Sequence, residues 1–310
     1  MQTILGSGGA IGSPLAKELK TYDQHIRLAA RKPKKVNPDD ELVIADLTNS
    51  HETEKAVAGS STVYLCVGLP YNIKIWQKQW PIIMENTINA CIKHRAKLVF
   101  IDNVYMYATS SLTHMTEESI MAPQSKKGKV RKQLIEMLFE AIKKQNLQAC
   151  VARSADFYGP GIKNSILLEL VVNNVKAGKT ALWQRSKHKI HSFTYTPDAA
   201  KAIAILGNRP EALGKVWHLP TSKEQLIGQN WIDLIAQGLN KKPKVFVLPA
   251  WLLKIMGIFV PLMREIAEMS YQYRYDYFFD SSMFENTFGF KPTSADQAIH
   301  EIILADAPKH

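Results

Sequence analysis

The chain has 310 residues, 46% of them hydrophobic and 22% charged. That length holds one large or two modest domains with real cores, and that balance excludes a disordered chain. The formal net charge of +11 suits phosphate-bearing ligands; nucleic acid is set aside, because the longest basic cluster, residues 31–35, is short and no aromatic-interleaved basic stripe accompanies it.

Met1 is followed at once by an apolar strand with no basic n-region, so no leader is expected and the chain reads as cytoplasmic. Residues 2–5 predict the first strand, a glycine-rich turn follows, and residues 11–21 predict a helix. Strands are predicted at 25–30, 42–45 and 63–67. A long amphipathic helix follows over 73–94, with Trp76, Trp80, Ile83, Met84, Ile88 and Cys91 at helical spacing. Pro81 inside it predicts a kink or break near Trp80. Next come a strand at 98–101, a helix over 128–144 and a strand at 148–152. Strands alternating with helices predict an α/β fold of Rossmann type, a doubly wound parallel sheet covered on both faces.

The second half is less regular. A helix is predicted near 165–176, a strand at 191–195, and a helix over 198–206 that starts on Pro197, where a missing N–H costs nothing. After a strand at 216–219 come a helix, a strand at 244–248, an apolar helix and a polar helical end. The apolar stretch 249–263 carries Lys254 and is too short to span a bilayer; it reads as a buried or interface helix rather than a membrane-surface one. Tyrosines at 271, 273, 275 and 277 alternate as in a strand or extended loop, a pattern of packing more than chemistry. Cys66, Cys91 and Cys150 are odd in number, far apart and set in apolar runs, which predicts buried thiols and no metal site.

The glycine turn reads Gly6-Ser7-Gly8-Gly9-Ala10-Ile11-Gly12. The first glycine allows a tight turn, the middle one lets backbone N–H groups approach a pyrophosphate, and the last lets helix and strand pack closely. The helix N-terminus then faces the phosphates with its positive end. A dinucleotide is the expected ligand. About 20 residues on, an NAD site usually carries an acid for the ribose 2′-hydroxyl. This chain has Ala29-Ala30-Arg31-Lys32 instead. Arg31 can clasp a 2′-phosphate bidentately, so NADP(H) is favoured, with NAD(H) as the alternative, unless Arg31 and Lys32 form only a solvated turn. Asp46, followed by Leu47, ends the third strand, where its carboxylate can accept from the adenine amino group or else cap the next segment. Val67 and Gly68, at the end of the predicted fourth-strand stretch 63–68, are further cofactor-binding candidates.

These motifs resemble the extended short-chain dehydrogenase/reductase family, the NAD(P)-dependent sugar epimerases and dehydratases. The likeness runs through nearly the whole chain. It rests on the glycine loop, on Asp46-Leu47, on Val-Tyr-Leu-Cys-Val-Gly at 63–68, and on Arg-Ser-Ala-Asp-Phe-Tyr-Gly-Pro-Gly at 153–161. Two further stretches, His-Ser-Phe-Thr-Tyr-Thr-Pro-Asp at 191–198 and 280–292, follow in the family's order. The resemblance implies a dinucleotide-binding domain over 1–158 plus about 189–218. A smaller C-terminal α/β substrate domain would cover about 159–188 and 219–310. It also implies hydride transfer at a nicotinamide, a small-molecule substrate such as a nucleotide-sugar, no membrane partner, and pairing into a homodimer through the helices at 73–94 and 128–144.

The chain departs from the family at its chemical centre. Asn103 stands where the family has a serine if Tyr107 is aligned with the family tyrosine after the fifth strand; an amide can still bond a substrate oxygen. The family's tyrosine–lysine pair, four residues apart, falls on Lys127 and Arg131, and no such tyrosine–lysine spacing exists between residues 100 and 135. A lysine crowded by like charges can act as a general base, whereas arginine stays charged and relays no proton. Lys127 and Arg131 alternatively form a basic helix start that only holds cofactor. Tyr105 and Tyr107 are further candidates after the fifth strand. Tyr158 belongs to the Tyr-Gly-Pro-Gly segment, and His191 stands where the family has a phosphate-contacting arginine. The leading expectation is an atypical NADP(H)-dependent oxidoreductase or epimerase. The second is a non-catalytic NADP(H)-binding sensor.

Overall fold

A computed structural model describes residues 1–163 and 165–305. The strands and helices follow in chain order as β1 (Gln2–Leu5), α1 (Gly12–Leu19), β2 (Ile26–Ala30), β3 (Glu41–Ile44), α2 (Ser50–Val57), β4 (Thr62–Leu65), α3 (Ile73–His94), β5 (Lys97–Asn103), α4 (Lys126–Gln145), β6 (Ala149–Ser154) and β7 (Asp156–Tyr158). A π-helical turn (Leu168–Val172) runs into α5 (Asn173–Lys176), then β8 (Ala181–Gln184), β9 (Phe193–Tyr195), α6 (Thr196–Asn208), β10 (Val216–His218), α7 (Gly228–Gly238), β11 (Val245–Leu248), α8 (Ala250–Phe259), α9 (Pro261–Met269), α10 (Ser282–Phe288) and α11 (Ala295–Ala305). Two compact units divide the chain: Met1–Met106, Lys126–Ser154 and Ala199–Leu219 form the first, and Tyr107–Ser125, Ala155–Asp198 and the described residues from Pro220 onward form the second.

The first unit is a seven-stranded sheet in the order β3-β2-β1-β4-β5-β6-β10, every pair parallel. That is the doubly wound Rossmann order with one strand added, and its switch point lies between β1 and β4. Strands β1, β4 and β6 are buried along their length, as a parallel sheet covered on both faces requires. The edge strand β3 is open to solvent, and its Glu41 holds Arg27 of β2 through Nε at 3.0 Å.

Two helices depart from the sequence reading. Of the kink or break expected near Trp80, the break is absent: α3 is continuous over its 22 residues with Pro81 inside it. Pro81 forfeits one backbone bond, but Trp76, Trp80, Ile83, Met84, Ile88 and Cys91 are buried along the helix. Asn72 caps its start, accepting from the N–H groups of Lys74 and Ile75, and Arg95 in the left-handed region closes its end. Helix α2 was not expected at all, since Ser-His-Glu-Thr-Glu-Lys carries little apolar period. Asn49 starts it by accepting from His51 and Glu52 N–H.

The second unit packs an aromatic core of Tyr158, Trp183, Phe193, Tyr195 and Trp231, with α11 laid against it through Ile299 and Ile302. Its strands form two parallel pairs, β8 with β11 and β7 with β9. The apolar stretch 249–263 is not one buried helix. Pro261 lacks the N–H that would continue α8, so the chain turns at Val260 and restarts as α9, with much of its apolar surface exposed. The alternating tyrosines do not form a strand either: residues Ser270–Arg274 wind into a 3₁₀ turn, and Tyr277 forms one isolated bridge to His191. All three cysteines are buried, and burial raises their thiol pKa values, Cys150 to about 12. No described helix is long and apolar enough to cross a membrane.

Candidate functional site

The glycine loop leaves β1 at the carboxyl end of the sheet, the end where open α/β sheets take ligands. Gly6 has φ of +88°, and a Cβ there would lie 2.7 Å from the Val67 Cα and 2.8 Å from its backbone N. Its N–H donates to the Ala29 carbonyl at 2.8 Å, tying the turn to β2. A Cβ on Gly12 would lie 2.5 Å from the Ser7 carbonyl oxygen. Gly6 and Gly12 are therefore required by the loop's own closure.

Gly8 and Gly9 differ. Nothing lies within 4 Å of a Cβ on Gly8, and the nearest atom to one on Gly9 is 3.5 Å away. The backbone at Gly8 faces open space among the described residues, and a Cβ on Gly9 would only touch the Cys66 and Gly6 carbonyls at ordinary contact distance. Helix α1 has no side-chain cap at Ile11 and no acid in its first turn, so its leading N–H groups and its positive end are left for an outside acceptor. The Ser7 hydroxyl is buried without a hydrogen-bond partner among the described residues. Ala10 is half-buried, Ile11 is buried against the fold, Val67 is half-buried and Gly68 is exposed. This donor-rich, acid-free cradle fits a pyrophosphate.

Arg31 is exposed at the end of β2, and no carboxylate stands beside it in the chain. Asp46 follows β3, the neighbouring strand. Its Oδ1 accepts from Thr48 N–H at 2.9 Å and from the Thr48 hydroxyl at 2.8 Å. These bonds, with Arg31's charge adding to them, hold the carboxyl below its usual pKa. Through Oδ1 the Asp46 carboxylate thus caps its own turn, its side chain stays exposed, and Leu47 beside it is buried.

At the end of β5, Asn103 accepts the Tyr105 N–H at 3.1 Å. The Tyr105 ring stacks on Trp76 with centroids 6.3 Å apart, and its hydroxyl lies 3.5 Å from that of Tyr71. Lys127, in the first turn of α4, is 0% exposed, and its Nζ sits 4.7 Å over the Tyr71 ring. Arg131, one turn on, is committed elsewhere. Its Nε and one terminal nitrogen reach Asp102 Oδ1 at 2.8 and 2.6 Å, the latter nitrogen also donates to the Ile101 carbonyl, and Trp80 and Phe100 flank the guanidinium. Arg153 of β6 takes the other oxygen of Asp102 at 3.0–3.1 Å. Arg131 is therefore a charge partner inside the fold. Asp102 escaped the sequence reading, and the signal for it was a lone carboxylate in an apolar strand.

The remaining candidates lie in the second unit, and burial revises them. Tyr107 is enclosed. Tyr158 is 1% exposed and wedged against Phe193, Tyr195 and Trp231, and burial pushes its phenol pKa well up; it packs and offers no surface to a ligand. His191 is 2% exposed, stacked between Tyr273 at 4.1 Å and Tyr277 at 4.3 Å, with Nε2 3.1 Å from Asp156 Oδ2. Its imidazole serves that stack rather than a phosphate.

Residues 3–219 match the family model described as NAD dependent epimerase/dehydratase family. Among curated proteins, the sterol-4-alpha-carboxylate 3-dehydrogenase, decarboxylating, of Bos taurus is 20% identical over 273 residues, covering 81% of this chain and 73% of that protein. Among solved structures, the UDP-N-acetylglucosamine 4-epimerase of Bacillus cereus superposes with a TM-score of 0.78 at 16% identity, over 98% of this chain and 96% of that one. A dTDP-glucose 4,6-dehydratase of Streptomyces venezuelae, solved with NAD, gives 0.81 at 12% identity over the same shares. At such identities the structural likeness is one of fold. The match over residues 3–219 goes further: this chain belongs to the NAD-dependent epimerase/dehydratase family.

Proposed function

We propose that the chain is an NADP(H)-dependent oxidoreductase or epimerase-like enzyme acting on a small molecule, with Lys127 in place of the family's tyrosine. The observation that carries the cofactor reading is the cradle at residues 6–12: bare glycine backbone, an uncapped helix end and a buried Ser7 hydroxyl, together on one turn. A bound dinucleotide supplies the hydride acceptor or donor. The Gly8–Gly9 backbone and α1 would hold its phosphates, and Arg31 would supply the charge for a 2′-phosphate. Asn103 presents an amide to the reacting oxygen.

Lys127 does not stand alone. Its ammonium lies on Tyr71, whose hydroxyl neighbours that of Tyr105, so a cation and two phenols gather in the first unit although the family's chain order is lost. This grouping supports proton transfer at Lys127. The substrates named for the similar proteins, nucleotide-sugars and a sterol carboxylate, share an alcohol or ketone beside a leaving or epimerising centre; such a compound is the substrate class proposed here.

Two outcomes test this reading. Melting curves with NADP(H) and with NAD(H) should show the larger rise for NADP(H), because a ligand that binds only the folded state raises the melting temperature. Arg31→Ala should cut NADP(H) affinity about tenfold or more and leave NAD(H) unchanged, the worth of a charge-assisted bidentate contact. An equal preference in the parent protein, or no change in the variant, sinks the assignment. Lys127→Met should lower turnover at least a hundredfold, within the range for loss of a general acid or base, with cofactor affinity near normal.

A second reading has its own observation. Arg131 is spent on Asp102 and Lys127 is wholly buried, an arrangement that also suits a dinucleotide sensor without turnover. Failure to oxidise NADPH with any carbonyl or sugar nucleotide, together with tight NADP(H) binding, would favour it.

A further inference from the structure

The hairpin of α8 and α9 leaves an apolar surface open that a folded chain ordinarily covers. Phe259 is 80% exposed, Ile258 76% and Trp251 62%, with Ile255, Val260 and Leu262 exposed beside them. Positions 251, 255 and 258 recur at helical spacing on α8, opposite the buried Leu253 and Gly257, and Leu262 opens the first turn of α9. The helix thus has an inward face already filled and a second apolar face with nothing on it among the described residues. Its corner is held closed by Gly257, where a Cβ would lie 2.8 Å from the Arg264 Cα.

Charge identifies the occupant. From residue 234 to residue 264 the chain has no aspartate or glutamate but carries Lys241, Lys242, Lys244, Lys254 and Arg264, all exposed. The first carboxylate beyond, Glu265, is buried. A second copy of the chain meeting this face about a two-fold axis would bring Lys254 and Arg264, the two cations on the hairpin itself, towards their own counterparts. An anionic bilayer instead offers apolar depth for Ile258 and Phe259, an interfacial level for Trp251, and phosphates for the cations.

We propose that the α8–α9 hairpin docks the protein on anionic phospholipid surfaces, the apolar corner entering the acyl boundary and Lys254 and Arg264 meeting headgroup phosphates. The hairpin is too short to span, so the binding is peripheral and reversible. Each cation near such a surface strengthens binding by about fivefold at moderate ionic strength.

Sedimentation of the full chain with phosphatidylcholine vesicles, with and without phosphatidylserine, tests this. The expected result is capture by the phosphatidylserine vesicles, weakened by added salt. Ile258→Asp with Phe259→Asp should abolish capture, and Lys254→Glu with Arg264→Glu should reduce it at least tenfold. Both variants should keep the parent melting temperature and NADP(H)-induced shift, because their side chains point to solvent. Absence of capture, or capture unchanged in both variants, overturns the proposal. So does a parent dimer, without vesicle capture, that the Ile258→Asp, Phe259→Asp variant converts to monomer, since a second copy would then be the occupant.

Discussion

Gly12→Val is expected to abolish the melting-temperature rise that NADP(H) gives the parent protein and to weaken dinucleotide binding by a hundredfold or more. A Cβ on Gly12 would lie 2.5 Å from the Ser7 carbonyl oxygen and 2.7 Å from its carbonyl carbon and Cα. All three are backbone atoms, so no rotamer relieves the overlap, and valine adds two further carbons. The loop must open, and opening it separates the α1 N–H groups from the Gly8–Gly9 backbone that would share the phosphates with them. At a ligand concentration of 100 Kd, binding stabilises the folded state by about 2.7 kcal/mol, which is the shift that should vanish. Gly8→Ala provides the contrast. Nothing among the described residues lies within 4 Å of its Cβ, so the unliganded melting temperature should hold. A fall in affinity there would report the ligand's own approach to the backbone. Calorimetric titration of both variants decides the matter: normal NADP(H) binding by Gly12→Val would remove the cradle from the mechanism.

That the cradle was legible in the sequence while the chemistry was not has a physical reason. Glycines 6 and 12 answer to backbone contacts within a single strand–turn–helix, so local sequence carries their meaning. The strands β1, β4 and β5 were equally plain, because a sheet covered on both faces demands unbroken apolar runs. Where partners come from distant segments, the sequence is silent. Arg131 read as the shadow of a catalytic lysine until Asp102, 29 positions earlier, was seen to hold it. Lys127 sits on Tyr71, which no spacing rule links to it. His191 looked like a displaced phosphate ligand, yet it is stacked between two tyrosines more than 80 residues away. The α8–α9 hairpin shows the converse error. The run read as one buried or interface helix, and only the turn at Pro261 reveals the hairpin and the apolar face left uncovered among the described residues.

The largest effect on folding is expected at Asp102. Two guanidiniums, from α4 and β6, share this one carboxylate, and all three side chains are almost wholly shielded from water. The group therefore carries one net positive charge in the interior, and any change that raises this number is costly. Asp102→Ala leaves two uncompensated guanidiniums and should cost about 3–5 kcal/mol, a large share of the stability of an ordinary domain. Arg131→Met leaves a neutral Asp102–Arg153 pair, and methionine can rest between Trp80 and Phe100 where the guanidinium lay. It should cost far less, and adding it to Asp102→Ala should recover part of the loss. Urea unfolding of the ligand-free proteins supplies the ranking. If Asp102→Ala proves milder than Arg131→Met, the charge argument is wrong. The clamp also has a functional consequence. Asp102 immediately precedes Asn103, and Arg131 lies one helical turn after Lys127, so the same ion group fixes the strand end and the helix start that present these two residues. In Arg131→Met, which should remain folded, turnover should therefore fall more than tenfold while NADP(H) affinity holds. A purely structural clamp would lower the melting temperature and leave the rate per folded molecule unchanged.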